Sequence, residues 1–244
     1  MSNSPNGIDE PELRPLLSTR FVYRVTAIVV ILAGLTAAIA FAGRWFGENL
    51  ALAGHTASRE TYDIFIGQDH LRLPANMIRF EAQRATSIVG RVDVYLTWPG
   101  LEGYSDENRD LFNDVDAPEN LIFLQISQST MSRDMSGRLE PIYTQVFDGA
   151  PSPGPNGLQL HATKVASSYA GEVFYTAERT DQAPYVVRCL KSDAQTISTS
   201  ADCQRDIHAG KDLVVLYRFA NKLLPRWKEI DDAITAFIKS RIVP

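Results

Sequence analysis

An uninterrupted apolar run near the N-terminus constrains this chain more than any other feature. Residues 25–43 carry no charged side chain, and Arg24 and Arg44 bound them. At about 1.5 Å of rise per residue, a helix of this length crosses most of the roughly 30 Å hydrocarbon layer of a bilayer. Tyr23 and Trp45 lie where aromatic side chains favour the membrane interface. We therefore predict a transmembrane helix over residues 23–46, with the lipid bilayer as its partner.

Two other interpretations of the run remain open. A buried helix of a soluble protein is disfavoured, because the run is apolar on every face. A cleavable signal peptide is favoured by Ala40, Phe41 and Ala42, which resemble a small-residue cleavage site. Against cleavage, the preceding region is long and contains Asp9 and Glu12, and the run exceeds the usual length of a signal core. A permanent anchor is the favoured interpretation.

Arginines beside the run predict its orientation. Arg14, Arg20 and Arg24 precede it, whereas Arg44 is the nearest that follows. Positively charged flanks tend to remain in the cytoplasm. Residues 1–22 are therefore predicted to form a cytoplasmic tail, and its polar, proline-containing composition predicts disorder. The C-terminal part is predicted to be exported.

Small residues recur along one side of the predicted span. Gly34, Ala38 and Ala42 follow one another at intervals of four residues. Such a ridge permits two helices to approach closely, although alanine-rich spans often contain one by chance. It predicts, weakly, self-association through these three residues.

The two cysteines of the chain, Cys189 and Cys203, both lie in the part predicted to be exported. Export favours a disulfide bond between them, closing a loop of about 15 residues. Two buried free thiols are the alternative. A zinc site is less favoured, because the sequence has no C-x-x-C pair and its four histidines are scattered.

Patterning beyond residue 60 predicts an α+β domain with a mostly antiparallel sheet. Alternating or short apolar runs, separated by turn-forming residues, predict strands. These strands are predicted at 62–66, 92–96, 121–126, 158–162, 172–175, 185–190, 203–207 and 213–219. Apolar residues at three- and four-residue spacing over 223–242 predict an amphipathic C-terminal helix with Pro225 in its first turn. This helix is expected to cover one face of the sheet, attachment to a partner being the alternative.

Motifs for catalysis, metals and nucleic acids are weak or missing. The net charge of -5 disfavours nucleic-acid binding. Residues 106–116 begin like a calcium loop, but Leu111 replaces the required glycine and Ala117 replaces the closing glutamate. The sequence contains no G-x-S-x-G, S-x-x-K or H-E-x-x-H motif. We therefore predict no catalytic, cofactor-binding or metal-binding residues.

One segment combines arginines and aromatic residues near predicted turns. Arg79, Arg84, Trp98 and Tyr104 lie within it. Arginine and exposed aromatic side chains are frequent anchors of protein interfaces. These four residues are the candidate partner-binding set. The alternative is that Trp98 and Tyr104 belong to the core and that the arginines neutralise nearby acids.

The same segment carries a family resemblance. Its motifs are P-A-N-M-I-R-F at 74–80, Q-R at 83–84 and V-D-V-Y-L-T-W-P-G-L-E-G-Y-S at 92–105. Together with the preceding span, they resemble a set of alphaproteobacterial proteins described only as transmembrane anchored proteins. The resemblance implies a bacterial inner membrane and a periplasmic domain. It implies no activity. The residue pattern itself predicts a linker at 47–60 and the domain at 61–244.

Three functions are consistent with this sequence. The favoured one is an interaction or envelope-assembly module with a protein partner in the envelope. The second is a binder or sensor of a small envelope ligand, which requires a pocket. The third is a hydrolase of envelope material, which requires converging carboxylates or a Ser/His pair in a cleft.

Overall fold

The computed structural model describes residues 19–51, 54–180, 182–191 and 198–244. Most of the predicted tail therefore lies outside the described residues. The chain divides into two units, Met1–Ala53 and Gly54–Pro244. Each unit is described by itself.

The N-terminal unit contains one helix, α1, Thr19–Ala51. Its segment Tyr23–Ala40 is long and apolar enough to cross a membrane, and its described side chains are exposed. A signal sequence near the N-terminus can meet the same criterion of length and composition. The helix extends beyond the predicted 23–46 at both ends, so residues 47–51 of the predicted linker are helical. The apolar pattern marks only the part that suits lipid, and no proline follows to stop the backbone ladder.

The structure describes part of the predicted self-association ridge. Gly34 and Ala38 are in α1, and a Cβ atom added to Gly34 would meet no other atom within 4 Å. The side chain of Ala42 lies outside the described ones. Self-association stays a prediction.

The C-terminal unit is built from strands and short helices, which confirms the α+β fold class. Its strands are β1 Thr61–Ile66, β2 Asp69–Pro74, β3 Ser87–Ile88, β4 Arg91–Thr97, β5 Leu121–Gln128, β6 Ser152–Pro153, β7 Gln159–Ala162, β8 Glu172–Ala177, β9 Tyr185–Leu190, β10 Cys203–Ala209, β11 Leu213–Phe219 and β12 Ile242–Val243. Its helices are α2 Arg109–Asn113, α3 Thr144–Val146 and α4 Trp227–Arg241. Shorter helical turns are Ala75–Met77, Glu81–Gln83, Pro118–Asn120, Leu139–Tyr143, Pro155–Gly157 and Asn221–Arg226.

The described strands form two sheets. The larger has the order β4-β5-β11-β10-β9-β8-β7-β6 and is antiparallel throughout. The smaller has the order β12-β2-β1-β3, in which only the β1–β3 pair is parallel. Every predicted strand is present. Strands β2, β3, β6 and β12 were not predicted: β3, β6 and β12 have two residues each, and β2 follows a tight hairpin turn after β1.

The core lies on the inward face of the larger sheet, against the smaller sheet and α4. Alternate residues of β4, β5 and β11 are buried there, as the two-residue period of a strand requires. The apolar stripe of α4 is also buried, which agrees with a helix that covers the sheet. Its buried apolar residues are Trp227, Ile230, Ile234, Phe237 and Ile238.

The C-terminal helix differs from its prediction at both ends. Residues Asn221–Arg226 form a 3-10 helix, and the α-helix begins only at Trp227. Pro225 has no backbone N–H and is tolerated only at the start of an α-helix, which agrees with an α-helix that begins after it. At the other end, Ile242 pairs with Leu71 as part of β12.

Two aspartates beside hairpin turns hold the two sheets together. The Asp69 carboxylate accepts hydrogen bonds from the backbone N–H groups of Lys211, at 2.9 and 3.0 Å, and of Asp212, at 2.9 Å. In return, the Asp212 carboxylate accepts one from the Gln68 N–H at 3.0 Å. Gly210 lies directly against Asp69 with a φ of +59°, so a Cβ atom there would collide with the Asp69 carboxylate. Glycine is required by both the backbone and the contact.

Replacing Gly210 with alanine is expected to lower the free energy of unfolding by about 2–3 kcal/mol. The left-handed backbone alone costs roughly 1–2 kcal/mol for a non-glycine residue, and displacing Asp69 adds to that. Gly149→Ala is the matched control, because Gly149 has a φ of +72° and open space around its Cα. Urea unfolding of the detergent-solubilised chain measures both. Equal losses for the two variants would show that Asp69 moves aside without cost.

Candidate functional site

Two of the four candidate partner-binding residues are buried. Tyr104 is fully buried and Trp98 is 8% exposed. The Tyr104 N–H donates to the Asn76 carbonyl, and the Asn76 side-chain amide donates to the Tyr104 carbonyl, each at 2.9 Å. Because the segment is tied down on the sheet, its aromatic residues pack inward. Trp98 and Tyr104 therefore lie in the core, as in the alternative interpretation of the segment, and their role in partner binding stays a prediction.

The two arginines of that set have different environments. Arg84 donates hydrogen bonds to the backbone carbonyls of Gly54, Ile78 and Arg79, at 2.6 to 3.2 Å, and so links loops of the domain. Arg79 is exposed, and its guanidinium lies 4.8 Å from the ring centre of Phe123 on β5. Of the four candidates, Arg79 alone remains exposed to a partner.

An aromatic cluster closes one end of the outward face of the larger sheet. The His55 ring stacks on Tyr104 with centroids 4.9 Å apart, and His55 Nδ1 lies 2.9 Å from the Tyr95 hydroxyl. The Phe112 ring contacts all three of these residues edge-on. Burial, and then the charges of Arg84 and Arg79, lower the pKa of His55. Burial raises the pKa of Tyr95 to about 12, so the cluster is uncharged near neutral pH.

A groove crosses the middle of the same outward face. It encloses about 520 Å³, a volume within the usual range of binding pockets. Its floor comes from the outward positions of β5, β9, β10 and β11, and its wall from residues 129–143. The floor includes Gln125, Ser127, Arg188, Gln204, Asp206 and Arg218. The wall includes Met131, Arg133, Arg138, Ile142 and Tyr143.

Positive charge dominates this groove, which we call the arginine groove. Four arginines line it, and Asp206 is the one acidic residue that does so among the described residues. Asp206 forms an ion pair with Arg138, and Arg188 lies 3.3 Å from the Glu172 carboxylate. Burial raises the pKa of Glu172, and Arg188 opposes this increase.

Arg133 and Arg218 are the unneutralised charges of the arginine groove. Neither forms an ion pair within the part of the chain that the structure describes. Arg218 contacts the Gln204 carboxamide, which lies between Arg218 and Arg188 on the floor. Arg133 is exposed on the wall. In a chain of net charge -5, two such arginines in one concavity form a local site for negative charge.

The wall of the arginine groove is held in place by its own core. Met135, Leu139 and Tyr143 pack against Phe174 and Val186 on the outward face of the sheet. Burial raises the pKa of Tyr143 to about 12. The groove is therefore preformed rather than dependent on a ligand for its shape.

A buried ionic network connects the wall to the inner core. The Arg205 guanidinium donates to the Ser136 hydroxyl at 3.0 Å, to the Val186 carbonyl at 2.9 Å and to Asp231 at 2.8 Å. Strands β9 and β10 pair at only two positions, Cys189 with Cys203 and Arg188 with Gln204. Beyond these pairs, the Arg205 side chain of β10 donates a hydrogen bond to the Val186 carbonyl of β9. A disulfide bond joins Cys189 and Cys203 where the pairing begins.

One Ser/His pair lines the groove. The Ser129 hydroxyl oxygen lies 3.2 Å from His208 Nε2, but it donates its proton to the Met131 carbonyl at 2.7 Å. A serine nucleophile must give its proton to the histidine, so this arrangement has the opposite polarity. Among the described residues, no group of three or more His, Cys, Asp or Glu side chains is placed to hold a metal ion.

Comparison with known proteins gives a likeness of fold. No protein-family model and no curated protein matches the chain. Smlt3025, an immunity protein of the Stenotrophomonas maltophilia type IV secretion system, superposes with a TM-score of 0.53 at 16% identity, over 78% of this chain and 96% of that one. The iron-regulated outer membrane lipoprotein FrpD of Neisseria meningitidis gives a TM-score of 0.42 at 12% identity, over 76% and 95%. At 16% identity, the first likeness establishes shared architecture, and it transfers no site.

The groove residues were not predicted from the sequence. Arg188, Gln204 and Arg218 belong to three strands, and they meet because β9, β10 and β11 are neighbours in the sheet. The signal that existed was local: these residues occupy positions that alternate with buried ones. Alternation assigns a residue to a face of its strand, but it does not state which strands are adjacent.

Proposed function

We propose that this chain is a membrane-tethered envelope protein whose C-terminal domain binds a partner protein through the arginine groove. The observation that carries the proposal is that Arg133 and Arg218 line a preformed concavity and neither forms an ion pair among the described residues. Unpaired arginines in a concave site favour recognition of an oppositely charged group.

The proposed location is the bacterial inner membrane, with the N-terminus in the cytoplasm and the domain in the periplasm. The exposed apolar helix α1 and the arginines that precede it support this orientation. A disulfide between the two cysteines suits an oxidising compartment. The fold shared with an immunity protein is compatible with a protein-binding role in the envelope.

Site-specific photocrosslinking in cells tests the proposal. A photoreactive residue at Met131, which lines the groove and is 57% exposed, is expected to give a discrete adduct with a partner. Val165 is the control position, because it is 90% exposed and lies outside the groove. The Met131 adduct should disappear in the Arg133→Glu/Arg218→Glu double variant. Equal crosslinking from both positions, or an adduct that survives the double reversal, would contradict the proposal.

Binding of a small envelope ligand is a second candidate. The groove volume of about 520 Å³ favours it, because ligand pockets commonly enclose 300–1,000 Å³. The same crosslinking experiment separates the two functions. A ligand binder would give no protein adduct from Met131.

A further inference from the structure

The charges and exposed side chains of the arginine groove define the chemistry of its occupant. We infer that the groove binds an acidic, extended segment of the partner, with carboxylates on either side of an apolar side chain. This inference rests on the proposed function and specifies the ligand for the same site.

The first argument is charge. Asp206, the acidic side chain that lines the groove, is engaged by Arg138. Arg218 on the floor and Arg133 on the wall have no acidic partner within the described ranges. Carboxylates are the protein groups that match a guanidinium fork with two parallel hydrogen bonds. An acidic segment would therefore supply the carboxylates that Arg133 and Arg218 lack among the described residues of the domain.

The second argument is spacing. Arg218, Gln204 and Arg188 lie in one row across three adjacent strands. Their strands are separated by about 4.8 Å each, which places the two arginine Cα atoms roughly 10 Å apart. An extended chain advances about 3.3 Å per residue, so carboxylates three residues apart span about 10 Å.

The third argument is the apolar surface inside the groove. Met131 is 57% exposed and Ile142 is 41% exposed, and both belong to the wall beside the arginines. Covering such side chains with an apolar group is favourable by about 25 cal/mol per Å² removed from water. A purely hydrated anion gains nothing from them. An apolar side chain between two carboxylates would contact the apolar wall while the carboxylates bind the arginines.

Peptide binding to the full-length protein in zwitterionic micelles tests the inference. The probe is a fluorescein-labelled 12-residue peptide with Asp and Glu on both sides of a central Leu, followed by fluorescence anisotropy. Its matched control carries Asn and Gln in place of the acids. We expect about tenfold weaker binding of the amide peptide. A weaker effect of the same sign is expected when the central Leu becomes Ser.

Charge reversal assigns the binding to the groove. Arg133→Glu and Arg218→Glu are each expected to weaken binding of the acidic peptide by about tenfold. Arg109→Glu is the matched control, because Arg109 is exposed on α2 and lies outside the groove. Arg133→Gln and Arg218→Gln should give intermediate losses. An unchanged urea midpoint establishes that each variant is folded.

Two results would overturn the inference. One is equal affinity for the acidic and amide peptides, or affinity that survives both reversals. The other is arginine-dependent binding of inorganic phosphate or of anionic phospholipid vesicles, together with no binding of the acidic peptide. If either occurs while the Met131 adduct persists, the inference fails and the proposed function stands. Absence of a Met131 adduct in the wild-type protein would contradict the proposed function.

Discussion

Replacing Asp231 with asparagine is expected to lower the free energy of unfolding by about 3–5 kcal/mol, since breaking a buried ion pair leaves its partners uncompensated. Asp231 is 3% exposed and accepts hydrogen bonds from Arg205 at 2.8 Å, Arg179 at 2.6 Å and the Tyr217 hydroxyl at 2.6 Å. Arg205 is also 3% exposed. Removing the negative charge leaves two arginines in low-dielectric surroundings with no counter-charge from Asp231.

The lowered pKa of Asp231 makes its contribution to the free energy of unfolding depend on pH. Burial raises this pKa, but the charge of Arg205, the hydrogen bond from Tyr217 and the charge of Arg179 outweigh it and hold the pKa below 3.8. A lowered folded-state pKa means that the unfolded chain binds the proton more readily. The stabilisation is therefore complete above about pH 4 and is lost as the pH falls through the lowered pKa. Asp231→Asn should remove that part of the acid dependence.

The matched control is Asp232→Asn. Asp232 is the next residue on α4 and carries the same charge, but it is exposed. Its replacement is expected to change stability by less than about 0.5 kcal/mol. Urea unfolding of the detergent-solubilised chain, followed by tryptophan fluorescence, measures both variants. A loss below about 1 kcal/mol for Asp231→Asn would mean that the surrounding dipoles solvate the two arginines without it.

Removal of the disulfide bond is expected to cost about 3 kcal/mol in the double variant Cys189→Ala/Cys203→Ala. The two cysteines are 14 positions apart, and crosslinking a loop of that size restricts the unfolded chain by about this amount on the chain-entropy model. In the folded protein, the bond lies where β9 and β10 have only two paired positions. Little else in the backbone ladder holds these strands together there.

A reductant distinguishes the effect of the disulfide bond on stability from the effect of replacing the cysteine side chains. Dithiothreitol should lower the urea midpoint of the wild-type chain and leave that of the double variant unchanged. Each single alanine variant should lose about as much stability as the double variant, because each already lacks the bond. A double variant as stable as the wild type would show that the strands are held by the core and by Arg205 alone.

Sequence reasoning identified some residues of the domain surface correctly and misplaced others. Arg79 was singled out and remains exposed above Phe123, which is paired with Arg218 on the groove side of the sheet. Trp98 and Tyr104 were singled out from the same segment and are buried. An aromatic residue near a turn has the same local pattern whether it packs inward or outward, so only its contacts distinguish the two.

The sequence by itself determined the features that depend on local periodicity or on simple counting. The apolar run of α1, the alternation of the main strands, the stripe of α4 and the pair of cysteines are all readable in the chain, because each follows from a repeat or a composition. The tertiary structure decided which strands are neighbours, and therefore which outward side chains share a surface. Arg133 lies on the wall and Arg218 on the floor of one groove, although 85 positions separate them in the chain. Long-range pairing brings them together, and no local pattern encodes that pairing.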